Sequence, residues 1–228
     1  AKKDQVTFKA ATTGVGPTLA TADVGGDTEI IVGGVGSDGL RSYDIDGAGN
    51  IGPAEGVSGL VSGGAPQPLV AVSDEGTLIA GSPRADGFAS YSLNGAGNAT
   101  GGAAVSDSGS THAGDLSALA TEKVGGNEII IAASASERGV TSYRMENGTP
   151  VPVDSVGPES GIGIMTPTRV DFVKLGSVTY AIVASAAPDS GTSGALTVLE
   201  VAPSGALTPT DHLVDTRQTR FGQVQALD

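Results

Sequence analysis

Residues 24–51 read VGGDTEIIVGGVGSDGLRSYDIDGAGNI, and residues 124–150 repeat the same plan as VGGNEIIIAASASERGVTSYRMENGTP. In both, a glycine turn leads into an apolar, β-branched run of strand length, then a loop, then a second strand and a second turn. Within the second strand Tyr43 and Ile45, Tyr91 and Leu93, and Tyr143 and Met145 recur two apart, so each pair points to one face. The tyrosines are therefore read as packing residues.

The same plan extends along the chain. The apolar runs TEIIVGG, GTLIAGS, NEIIIAAS and TYAIVAS align on Ile31, Ile79, Ile130 and Ile182, with spacings of 48, 51 and 52 residues. The strands GLRSYDID, GFASYSLN, GVTSYRME and ALTVLEVA follow at the same period, aligned on Tyr43, Tyr91, Tyr143 and Leu199. Ahead of each apolar run lies TLATADV, PLVAVSD, DLSALAT or TRVDFVK, matched at Leu19, Leu69, Leu116 and Val170, and QVQALD at Val224 is a fifth copy. A weaker fourth segment closes each repeat, as NIGPAEGVS, NATGGAAVS, TPVPVDSVG and LTPTDHLVDT, and QVTFKAATTG opens the chain like an extra one.

Four strands per repeat of about 50 residues, with no helical periodicity, is the pattern of β-propeller blades. A blade cannot bury both faces of its own sheet, so blades stack around an axis and share cores. The expected fold is an all-β propeller of four-stranded blades, with the Leu19-type strand innermost, then the Ile31, Tyr43 and Ala54 types. A stacked β-solenoid is the alternative, but its coil is much shorter. The expected divisions are an outer strand at 5–13, blades at 17–58, 66–107, 114–157 and 166–215, and an inner strand of a fifth blade at 221–228. A longer parent chain, strands from a second chain, or an open ring would each account for the fifth blade's missing middle strands. The longer chain is taken first, because an exposed inner edge invites aggregation.

Composition agrees with this fold and narrows the function. The 228 residues include 36 glycines and no tryptophan, which suits many tight turns. Against 25 acidic residues stand 12 basic ones, a net charge of −13, with no Lys/Arg cluster to follow a phosphate backbone. Nucleic acid and acidic substrates are thus excluded as expected partners. No apolar run approaches the roughly 20 residues of a membrane span, and the start AKKDQVTFKA carries no apolar signal core. The absence of cysteine rules out disulfides, thiolate catalysis and Cys-based zinc sites.

The two motifs quoted at the outset resemble the propeller regions of large secreted bacterial proteins, often of marine alphaproteobacteria, that carry hemolysin-type calcium-binding repeats elsewhere in the chain. They also look, more distantly, like the seven-bladed lactonase family, whose blades contain a "GL.VY.ID" strand. The resemblance implies a propeller and a secreted or cell-surface location, but its motifs specify blade construction and not chemistry. The GGxGxD calcium repeat itself is absent from these 228 residues.

Four loops between second and third strands carry acids at corresponding places: Asp38, Asp86, Glu137 and Asp189. A ring of carboxylates on one rim would bind a cation or accept from sugar hydroxyls, whereas Asp-Gly is also plain turn chemistry. Asp44, Asp46 and Asn50 partly match an EF-hand loop, making calcium the one cofactor in view, yet the equivalent NGAGN turn of the next repeat keeps the glycines and drops the carboxylates. Asp115, Arg169, Asp171, Gln223 and Gln225 on innermost strands are candidates to line a central channel. Asn98-Ala99-Thr100 and Asn147-Gly148-Thr149 match the N-glycosylation acceptor and point to surface turns. His112 and His212 are unpaired in sequence, and no Gly-x-Ser-x-Gly elbow is present.

The first functional expectation is a non-enzymatic extracellular module that binds protein or carbohydrate, or assembles, within a larger secreted or surface protein. A lactonase-like hydrolase using a rim-bound metal as Lewis acid is the second. The third is a filament- or ring-forming subunit joined through unpaired strand edges, with another copy or the rest of its own chain as partner.

Overall fold

A computed structural model describes residues 18–24, 26–35, 39–57, 69–73, 76–82, 86–94, 97–186, 194–216 and 218. The expected strands at 5–13 and 221–228, and the candidate residues Asp38, Asp189, Gln223 and Gln225, lie outside the described residues.

Among the described residues, sixteen strands form four antiparallel sheets, each a meander whose spatial order is its chain order. The first holds β1 (Thr18–Val24), β2 (Asp27–Val35), β3 (Gly39–Ile45) and β4 (Glu55–Gly56). The second holds β5 (Leu69–Val72), β6 (Thr77–Gly81), β7 (Phe88–Leu93) and β8 (Ala99–Val105). The third holds β9 (Leu116–Val124), β10 (Asn127–Ser134), β11 (Gly139–Glu146) and β12 (Thr149–Val156). The fourth holds β13 (Thr166–Leu175), β14 (Val178–Ala186), β15 (Ala195–Val201) and β16 (Leu207–Val214). First strands of successive sheets neighbour one another, β1 beside β5, β5 beside β9 and β9 beside β13, so they are the inner strands of a propeller. Among the described residues the single helix is a 3₁₀ turn at Pro158–Ser160, and no helix is long and apolar enough to cross a membrane.

Because strand residues alternate between faces, each sheet sends one set of side chains back to the sheet before it and one forward to the sheet after. Ile31 and Leu40 of the first sheet pack on Val70, Leu78 and Tyr91 of the second. Ile79 and Phe88 of the second pack on Leu116, Ile130 and Tyr143 of the third, where the Phe88 and Tyr143 rings meet edge to face, 4.9 Å between centroids. Ile129, Ile131 and Val140 of the third pack on Val170, Val183 and Leu199 of the fourth. Burying each such side chain stabilises by about 1.5–3 kcal/mol.

Pairing corrects one detail of the sequence alignment. Tyr43 lies opposite Ile30, Tyr91 opposite Leu78 and Tyr143 opposite Ile130. Ile130 therefore faces backward, whereas Ile31 and Ile79, with which the sequence aligned it, face forward. The run Ile129–Ile130–Ile131 is buried on both faces, so hydrophobicity alone gives it no phase.

The serine before each tyrosine points the other way. Ser90 Oγ donates to the Gly148 carbonyl at 3.3 Å and Ser142 Oγ to the Gly205 carbonyl at 2.6 Å, each glycine standing in the last hairpin of the following sheet. Ser42 meets the matching turn at Gly97, where an added Cβ would sit 2.7 Å from its Oγ. The equivalent position of the fourth sheet is Val198, opposite Ile182.

Candidate functional site

A cleft of about 700 Å³ lies at the end of the third sheet where the β8–β9 connection meets β12 and the 3₁₀ turn. Its polar lining comes from Ser110, Thr111, His112, Asp154, Ser155 and Glu159. Pro158 starts the 3₁₀ turn and Gly161, at φ 69°, ends it in the left-handed region, which holds Glu159 at the cleft mouth.

His112 sits in a slot made by two glycines. A Cβ on Gly139 or Gly157 would overlap its ring atoms, so the imidazole has no room for a larger residue at either place. Its backbone N–H donates to Thr141 Oγ1 at 2.7 Å, and its Nε2 stands 3.5 Å from Glu159 Oε1. The imidazole is 15% exposed and the carboxylate 59%, so this pair presents an edge to the cleft and not a buried ion pair. The Glu159 carboxyl is held below its usual value, first by its own backbone N–H and then by His112.

The hydroxyls around it are already engaged. Thr141 Oγ1 and Ser155 Oγ are 2.9 Å apart, and Ser155 Oγ donates to the Ser110 carbonyl at 3.1 Å. Asp154 accepts from the backbone N–H groups of Ser155 and Leu207, both at 2.9 Å, tying the third sheet to the fourth. Behind the cleft, Asp107 accepts from Thr111 Oγ1 at 2.8 Å and from the Ala113 N–H at 3.0 Å. Burial pushes the neighbouring Tyr143 phenol up, and its hydroxyl, close to Thr111 and Thr141, makes no hydrogen bond of full geometry. The arrangement suits binding a ligand through hydroxyl, imidazole and carboxylate groups.

The residues singled out by sequence fall elsewhere. Glu137 accepts the Gly114 N–H at 2.9 Å, and Ser134 bridges the Gly114 carbonyl to the Glu137 N–H, so this carboxylate is spent on joining two loops. Asp86 is exposed beside Gly87, whose N–H donates to the Ala113 carbonyl at 2.9 Å. Asp46 accepts from Ala48 and Asn50 N–H groups at 2.9 Å and from Asn50 Nδ2 at 2.7 Å, a turn that also holds its carboxyl below the ordinary value. Asp44 is separate from this turn and pairs in register with Glu29. Arg169 donates to the Thr168 carbonyl at 2.7 Å, Asp171 accepts the Phe172 N–H at 2.8 Å, and both are exposed on the inner strand β13. Asp115 is exposed just before β9, at φ 45°. Among the described residues, no three His, Asp or Glu side chains converge as a metal-binding group.

In the sequence His112 stands unpaired, and nothing marks Asp107, Asp154 or Glu159 as its neighbours. The glycines at 139 and 157 that shape the slot are 18 residues apart in the chain, and nothing local marks them as partners.

No family model and no curated protein matches the sequence. Solved structures share the fold. A proposed 6-phosphogluconolactonase from Bacteroides fragilis superposes with a TM-score of 0.60 at 15% identity, over 89% of this chain and 58% of that one. Hydrazine synthase from Kuenenia stuttgartiensis gives 0.55 at 12% identity, over 86% and 48%. An auxiliary nutrient binding protein from Bacteroides ovatus gives 0.51 at 16% identity, over 87% and 48%. The chain spans about half the length of these structures. At such identities the likeness establishes a propeller fold and no activity.

Proposed function

We propose that the chain is a non-enzymatic propeller module of a larger secreted or cell-surface bacterial protein, and that it binds an uncharged, hydroxyl-rich ligand of carbohydrate type in the His112–Glu159 cleft. The observation that carries this reading is the exposed edge formed by the slot-held imidazole and the Glu159 carboxylate, 3.5 Å apart, in a cleft whose hydroxyls are already bonded to one another. A carboxylate accepts from sugar hydroxyls and an imidazole both donates and accepts. The nutrient binding protein among the structural neighbours is in keeping with such a role. A phosphorylated sugar lactone, the substrate that the name of the Bacteroides fragilis protein implies, is anionic and fits poorly with a net charge of −13 and an acidic cleft mouth.

Calorimetric titration of the whole chain with a panel of neutral oligosaccharides tests the proposal. One-site binding is expected, weakened about tenfold or more by His112→Ala and by Glu159→Gln. Absence of saccharide binding, binding indifferent to both substitutions, or turnover of sugar lactones by the parent chain would overturn it.

A further inference from the structure

Glu29, on β2, is 1% exposed, and neither of its carboxylate oxygens has a hydrogen-bond partner. An ionised carboxylate in that state is strongly disfavoured unless something neutralises it. Burial first, then the neighbouring carboxyls of Asp44, Glu55 and Asp27, push its carboxyl from 4.5 up to about 7. Asp44 is its register partner on β3 and comes within carboxyl-to-carboxyl reach, though without the geometry of a full hydrogen bond. Ser42, paired with Glu55, stands on the same face two residues before Asp44.

The second sheet closes this pocket from the other side. Gly97, at φ 66°, brings backbone so near that an added Cβ would lie 3.0 Å from Glu29 Oε2 and 2.7 Å from Ser42 Oγ. Glu29 Oε2 and Ser42 Oγ of the first sheet therefore both lie close against Gly97 of the second.

We propose that Glu29, Asp44 and Ser42 form a site for a hard divalent cation of the calcium type, clamped between the first sheet and the β7–β8 turn of the second. Two carboxylates match the ion's charge, and calcium completes its six to eight oxygens with hydroxyl, backbone carbonyl and water. The site uses Asp44 with a residue of the adjacent strand and leaves Asp46 and Asn50 in their turn. It lies at the hairpin end of the sheets, away from the His112 cleft, and stands independently of the ligand proposed there.

The test is calcium titration of the chelator-treated whole chain at pH 8, followed by calorimetry and by thermal unfolding, with magnesium in a parallel arm. Calcium is expected to saturate one site and raise the unfolding temperature by several degrees, with magnesium at least about tenfold weaker. Glu29→Gln and Asp44→Asn should each weaken calcium binding about tenfold or more, while Asp46→Asn leaves it unchanged. Chelated Glu29→Gln should unfold no lower than the chelated parent, which shows that the variant is folded. No binding by the parent, or binding that survives Glu29→Gln, would overturn the site.

Discussion

Ser142 Oγ donates a 2.6 Å hydrogen bond to the carbonyl of Gly205, which lies 63 residues further along the chain and in the next sheet. Ser142 is fully buried, and its neighbour Tyr143 packs on the sheet before. One dipeptide thus fastens three sheets. Replacing Ser142 with Ala leaves a buried carbonyl without its donor and should cost about 1–3 kcal/mol, read as a lower midpoint in urea with an unchanged slope. A variant as stable as the parent would show that the bond contributes nothing net.

Gly81 of the second sheet lies against Leu116 and Leu119 of the third. An added Cβ would lie 2.7 Å from Leu116 Cδ1, and 3.3 Å from both Leu119 Cδ1 and Phe88 Cβ. Gly81→Ala should destabilise by about 1–3 kcal/mol through overpacking, despite the usual benefit of alanine over glycine in the unfolded chain. Thermal unfolding decides between the two effects.

The Tyr143 hydroxyl is buried without a full hydrogen bond, while its ring carries the contact with Phe88. Tyr143→Phe should therefore be neutral or stabilising by up to about 1 kcal/mol, and Tyr143→Ala should cost about 3–5 kcal/mol. Equal losses in both variants would mean that the hydroxyl matters more than the ring.

In chelated protein, Glu29 carries a pH dependence of fixed sign. Its folded-state value of about 7 exceeds the ordinary 4.5, so between those values the folded chain holds a proton that the unfolded chain has lost. Stability contributed at this site is full below pH 4.5, falls as pH rises toward 7, and is level above it. Asp27, Asp44 and Glu55 are the charged groups acting on it. The parent should lose on the order of 1–3 kcal/mol relative to Glu29→Gln across that window, measured by urea unfolding at pH 4.5 and pH 8. Parallel pH curves for the two proteins would refute the assignment.

Propeller architecture was legible because it is written in period and alternation: Tyr43, Tyr91 and Tyr143 each mark the same strand and the same face. Phase within the apolar runs was harder. Ile30, Leu78 and Ile130 each precede their tyrosine by 13 residues, and that constant interval, rather than hydrophobicity, carried the correct register. The polar sites were mostly hidden. Glu29 reads as one more charge in TEIIVGG, and only its burial against Gly97 and Asp44 makes it unusual. Glu137 stood out in sequence by its position in the repeat, yet its carboxylate holds a loop together.

The serine–tyrosine pair also gives the repeat a polarity. A sheet carrying it has a socket on one side and a latch on the other, so neighbours stack in one order and cannot be reversed without losing both contacts. With Val198 in the serine's place, the fourth sheet has no hydroxyl at that position to act as the latch. The series of serine contacts therefore runs from the first sheet into the fourth and stops at Val198.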